Sequence, residues 1–120
     1  MAPNTPRPRT SSLYGSLDLL ILNVLRRDGP LHGLEIADRI RERSDDHLKI
    51  EEGALYPALH RLQRRGLLLN EWRVSDKGRR AKFYDLSPSG AAALEEEMER
   101  WRNHTRAVGR VLDVPAERLP

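Results

Sequence analysis

The strongest constraint on the fold lies in the last third of the chain. From Pro88 to Leu112, apolar or small residues stand at Ala91, Leu94, Met98, Trp101, Thr105, Val108 and Leu112, at alternating steps of three and four. That spacing lays one stripe along one side of a helix, and three heptads of it describe a packing seam. The other faces are rich in Glu and Arg, with four glutamates between Glu95 and Glu99. Ser87-Pro88 supplies the start: serine at the N-cap and proline in the first turn, where its missing N–H costs nothing. Two arrangements satisfy such a stripe. The helix folds back on its own domain, or it pairs with a second copy. A long helix on a small domain has little of its own core left to cover, which favours pairing.

The chain has 120 residues, enough for one domain with an appended element. Apolar residues are 38% and charged residues 32%, polar for a globular monomer but not disordered. No cysteine is present, which excludes a disulfide framework and a Cys-based zinc site. No apolar run approaches the ~20 residues of a membrane span, and Leu19–Leu22 is too short for a signal peptide core. A cytoplasmic location without membrane contact is therefore expected. The net charge is only +3, but it is unevenly spread. Arg64 to Lys82 carries seven Lys or Arg against Glu71 and Asp76 alone. A basic middle and an acidic late helix suggest two surfaces with different partners.

Residues 1–11, with three prolines and two arginines, read as a flexible N-terminal arm. A disordered tail and a minor-groove arm are both compatible with that composition. Residues 12–87 form the expected main domain, 88–112 the long helix and 113–120 a tail. A first helix is predicted over Leu13–Arg27, apolar nearly all round and ended by Asp28-Gly29-Pro30. A second is predicted over Gly33–Arg43, with Leu34, Ile36, Ala37 and Ile40 facing inward. Ser44-Asp45-Asp46 is turn material, and Leu48–Ile50 reads as a very short strand. A third helix is predicted over Glu52–Arg65, with Leu55, Leu59 and Leu62 inward, Gly66 as its stop, and Pro57 distorting its early turns. Leu67–Val74 and Ala81–Leu86 read as two strands joined by a polar, Gly-containing loop.

Three short helices followed by a hairpin with a basic tip is the order of a winged helix-turn-helix. The fold class expected is mainly α with a small β component, and a long C-terminal dimerisation helix. The third helix would enter the major groove of double-stranded DNA, and the hairpin, or wing, would lie along phosphates or the minor groove. From the helix, Ala54, Tyr56 and Ala58 are expected to approach first, with Arg61 behind them; His60, Gln63 and Arg64 are also read as exposed. From the wing, Lys77, Gly78, Arg79, Arg80 and Lys82 are expected at the DNA, with Gly78 permitting close backbone approach. Tyr56 fits either of two roles, a phosphate donor or a residue packed on the wing. Small residues at the front of the helix point to readout of DNA shape. The four histidines lack metal-ligand spacing, and neither a catalytic arrangement nor a cofactor motif is recognisable. A rival reading keeps the same fold as a protein-interaction module, with the basic wing serving solubility.

The chain also resembles the PadR-type transcriptional regulators, of the short subgroup with one C-terminal helix. The likeness is carried by Leu17-Asp18-Leu19-Leu20-Ile21-Leu22, Gly29-Pro30-Leu31-His32-Gly33-Leu34-Glu35-Ile36, and Glu52-Gly53-Ala54-Leu55-Tyr56-Pro57-Ala58-Leu59-His60-Arg61-Leu62. Gly66-Leu67, Gly78-Arg79-Arg80-Ala81-Lys82-Phe83-Tyr84 and Leu86-Ser87-Pro88-Ser89-Gly90 complete it. Leu34 stands where the family more commonly has an aromatic residue. The resemblance implies a homodimeric repressor of a near-palindromic operator, released by a small molecule, with Tyr56, Lys77, Arg79 and Arg80 facing DNA. It also implies that the last helix packs against the partner's N-terminal helices. Trp101 matches the tryptophan on which some members stack flat aromatic ligands; it is equally a good packing residue of the seam.

Overall fold

The computed structural model describes residues 12–114, with side chains from Ser16 onward. The expected arm over 1–11, Leu13 as a core residue and most of the expected tail lie outside the described residues or side chains. The elements are α1 (Ser12–Asp28), β1 (Leu31–His32), α2 (Gly33–Arg43), α3 (Glu52–Arg64), β2 (Leu68–Val74), β3 (Arg80–Leu86) and α4 (Pro88–Leu112). The sheet is antiparallel in the order β1-β3-β2, with Leu31 opposite Tyr84 and Val74 opposite Arg80.

Local chemistry sets each boundary. Gly29, at φ +75°, turns the chain out of α1. His32 then caps α2: its Nδ1 accepts from the Glu35 N–H, while Glu35 Oε1 accepts from the His32 N–H at 3.1 Å. Asp28 ties the two helices together by accepting from Arg43 at 2.6 Å and Arg39 at 3.0 Å. At the end of α3 the Gly66 N–H donates to Gln63 O and the Leu67 N–H to Leu62 O, a paired closure made possible by Gly66 at φ +78°. Pro57 sits in the second turn of α3, which runs on unbroken through it. Upstream, Glu51 O accepts from both Ala54 and Leu55 N–H, a tightened first turn.

The core lies where α1, α2 and α3 meet the base of the sheet. Ile21, Leu22 and Leu25 of α1, Ile36 of α2, and Leu55, Leu59 and Leu62 of α3 are fully buried. Two expectations fail here. Leu34 is 51% exposed rather than inward, because α2 is anchored through Ile36 and Ile40 and Leu34 falls on its far side. Leu48–Ile50 forms no strand; it is an extended linker into α3, and the sheet's third strand is Leu31–His32.

The start of α4 is locked to the sheet base. Ser87 is buried; its Oγ donates to Gly66 O at 2.7 Å and accepts from Gly90 N–H at 2.9 Å, while its own N–H donates to Leu67 O. From there the helix crosses α1 and leaves the body. The radius of gyration is 15.7 Å, against about 13 Å for a compact chain of this length.

Candidate nucleic-acid interface

Three elements converge on one side of the domain: the N-terminus of α2, Tyr56 of α3, and the wing formed by β2, β3 and their turn. They enclose an open groove of about 750 Å³ whose lining includes Gly33, Tyr56, Trp72, Lys77, Arg79 and Arg80. Gly33 leaves room for the Tyr56 ring in this groove: a Cβ there would lie 2.8 Å from Tyr56 Cε1 and 2.9 Å from Tyr56 Oη. Tyr56 thus lies across the first turn of α2, half-exposed. Burial, and then the charge of Glu52, raises the Tyr56 pKa above the ordinary phenol value, so its hydroxyl stays a donor at neutral pH. Tyr84, buried beneath the groove, is shifted the same way by burial and then by Tyr56.

At 100° per residue, the side of α3 opposite Leu55, Leu59 and Leu62 presents Gly53, Pro57, His60 and Arg64, all exposed. This strip corrects the expectation for three residues. Ala58 is fully buried among core residues, and Ala54 is half-buried against them. Arg61 points to the α1 flank, where it donates to Asp18 at 2.6 Å. His60 and Arg64, exposed as expected, join the strip; counting turns from the buried leucines, rather than from the front of the helix, places them there.

The wing stands as expected, with the start of each strand moved by one residue and the ends, Val74 and Leu86, unchanged. Its turn closes when the Gly78 N–H donates to Ser75 O at 2.9 Å and the Ser75 N–H to Arg79 O at 2.6 Å, with Gly78 at φ +76°. Lys77 and Arg79 are exposed and have no ion-pair partner among the described residues. Arg80 lies over the Trp72 ring at 5.0 Å and Lys82 Nζ over Tyr84 at 5.8 Å.

On α4 the predicted stripe changes duty along its length. Leu94 is fully buried in its own protomer's core, with Met98 packed against that core, so Leu94 is not free for a partner as expected. Ala91 is exposed; Trp101 and Thr105 are half-buried. Val108 and Leu112 are exposed, the latter by 63%, and Val111, absent from the predicted stripe, by 81%. The Trp101 ring lies 6.0 Å from that of His104. Among the described residues no group of acids and histidines is arranged to hold a metal, and no helix is long and apolar enough to cross a membrane.

Residues 21–96 match the Transcriptional regulator PadR-like family. The chain is 41% identical over 70 residues to Transcriptional regulator Rv3488 of Mycobacterium tuberculosis, a match covering 58% of this chain and 62% of that protein's length. Among solved structures, it resembles a transcriptional regulator from Clostridium thermocellum, with TM-score 0.74 and 28% identity over 82% of this chain and 94% of that one. A PadR family transcription regulator from hypervirulent Clostridium difficile R20291 matches with TM-score 0.70 and 31% identity, over 82% of this chain and 99% of that one. The winged helical head, the long last helix and the family match over residues 21–96 agree, and the chain belongs to the PadR-like family of transcriptional regulators.

Proposed function

We propose that the protein is a cytoplasmic, homodimeric repressor that binds a near-palindromic operator in double-stranded DNA and acts without catalysis. The supporting observation is one groove lined by Tyr56 of α3 together with Lys77 and Arg79 of the wing, two exposed cations without an ion-pair partner among the described residues. Gly53, Pro57, His60 and Arg64 face the base edges, while Tyr56 and the turn around Gly78 hold phosphates. Each phosphate neutralised releases counterions and adds affinity. Dimerisation uses the outer part of the α4 stripe, from Trp101 through Thr105 and Val108 to Leu112, with Val111 beside it. Release by a small aromatic effector stacking on Trp101 fits a half-buried indole at the foot of that stripe. The docking-module reading draws on the exposed apolar side chains of the head, Leu34 and Leu69 among them, but gives no use to the exposed cations of the wing turn.

The test is selection of bound duplexes from a random pool at physiological salt. A two-fold symmetric motif with half-sites about one helical turn apart is expected. No enrichment would leave protein docking as the better account.

A further inference from the structure

The wing does not carry its cations uniformly. Lys77 and Arg79, in the turn, extend into solvent. Arg80 and Lys82, on β3, are each backed by a ring on the groove face of the sheet. The register makes this face explicit: Val74 is opposite Arg80 and Trp72 opposite Lys82, so Trp72, Val74, Arg80 and Lys82 share one side. Trp72 is 55% exposed and Val74 69% exposed on that side, although both are large and apolar. A hairpin that served only solubility has no use for an exposed indole and valine beneath its cations.

We propose that Trp72 is a positioning residue that holds the Arg80 guanidinium for insertion into a narrow, A·T-rich DNA minor groove, making Arg80 the wing's specificity determinant. The inference rests on the DNA-binding reading above and adds to it what the wing reads. Three physical points support it. Arg80 lies 5.0 Å over the Trp72 ring, a cation–π stack that limits the rotamers it surrenders on binding. A guanidinium is weakly hydrated, so it gives up water more readily than an ammonium on entering a confined groove. A-tracts have narrow minor grooves whose deepened negative potential attracts inserted arginines. Trp72 and Val74 then meet the sugar walls, which explains why an apolar surface is left uncovered beside basic residues. Lys77 and Arg79, unstacked, serve phosphates of any sequence.

The test uses the full chain and duplexes that keep the selected half-sites but carry either A-tract or G·C flanks beneath the wings. Affinities are measured by fluorescence anisotropy for wild type, W72L, W72F, R80K and K77A. Wild type is expected to favour A-tract flanks on the order of tenfold. R80K abolishes that preference. W72L reduces it about three- to fivefold, with W72F retaining most of it. K77A weakens both duplexes equally. All variants are expected to keep the wild-type preference for the half-sites themselves. The proposal is overturned if wild type ignores the flanks, or if W72L and R80K lose affinity equally on both. If no half-site is selected at all, the DNA-binding reading fails and this inference fails with it.

Discussion

Gly90→Ala sets helix propensity against packing, and the structure decides the sign. Gly90 is the third residue of α4, where alanine should favour the helix by about 1 kcal/mol. Against this, a Cβ built there lies 2.1 Å from the Leu67 carbonyl oxygen, 2.8 Å from Leu86 Cδ1 and 3.1 Å from the Leu67 carbonyl carbon. A carbon and a carbonyl oxygen settle at about 3.3–3.6 Å, so the start of α4 must retreat by more than 1 Å. The obstacle is backbone on a strand base and has no rotamer to change. Retreat pulls Gly90 N–H off Ser87 Oγ, at 2.9 Å, and strains the buried bond from Ser87 Oγ to Gly66 O, at 2.7 Å. Overpacking costs about 1–3 kcal/mol and a lost N-cap about 1 kcal/mol. The net destabilisation is roughly 1–3 kcal/mol, or about 5–15 °C in a domain of this size. The assay is thermal unfolding by circular dichroism at fixed protein concentration, with Gly53→Ala as the contrast. Gly53 also lies in a first helical turn, but a Cβ there meets nothing within 4 Å, so its midpoint should stay level or rise slightly. Equal midpoints for wild type and Gly90→Ala would refute the reasoning.

The two ends of the α4 stripe should respond differently to the same charge. Leu94→Lys buries an ammonium in the core and should leave little folded protein, whereas Leu112→Lys should stay folded and sediment as a monomer; a folded monomer from Leu94→Lys would show the core assignment to be mistaken. Tyr56→Phe removes one charge-assisted bond per head and should weaken DNA binding about tenfold without altering sequence preference. Because the Tyr56 pKa is raised, wild-type affinity should hold level from neutral pH to pH 9, and a fall confined to wild type would count against the phenol as donor. The Asp28 carboxyl is held below its ordinary pKa by the hydrogen bond from Arg43, with burial opposing. Its contribution is therefore present above the unfolded value of about 3.9 and lost as pH falls through the lower folded value. Asp28→Asn should lower the unfolding midpoint at pH 7, and the gap from wild type should close on acidification below about pH 4; a gap that persisted there would point to a cause other than charge.

The sequence made the fold legible wherever one residue type has one backbone use. Gly29, Gly66 and Gly78 all take positive φ, and Ser87-Pro88 opens α4 as its chemistry requires. Direction was harder to read than boundary. Leu34 is apolar and sits at helical spacing from the inward set, yet α2 is already full with Ile36 and Ile40 facing the core. Ala58 illustrates the reverse: a small residue on a recognition helix suggests close approach to DNA, but small residues also permit helices to pack closely, and here packing wins. Arg61 could not be placed without knowing that Asp18, forty-three positions earlier, lies beside it. The two-residue strand β1 carries no periodicity at all; it pairs because α1 delivers it beside β3.

These departures converge on α4, which is one unbroken helix with two attachments. Its first turn is bound to the sheet base through Ser87 and Gly90, and Leu94 fixes the following turn in the core. The same stripe then continues through Trp101 and Thr105 to the exposed Val108 and Leu112. Between the wing's return strand and α4 lies only Ser87, so no loop absorbs a displacement. On the dimer proposed above, any change in how two α4 helices meet is carried as a rigid-body movement to both wings and both recognition helices. Over the 14 residues from Leu94 to Val108, a helix extends about 21 Å. A rotation of a few degrees at the outer end therefore shifts the base of the wing by about an ångström, enough to break the register of two half-sites held at a fixed spacing. A ligand that wedged the helices apart at Trp101 would act through that lever without contact to the DNA-facing residues.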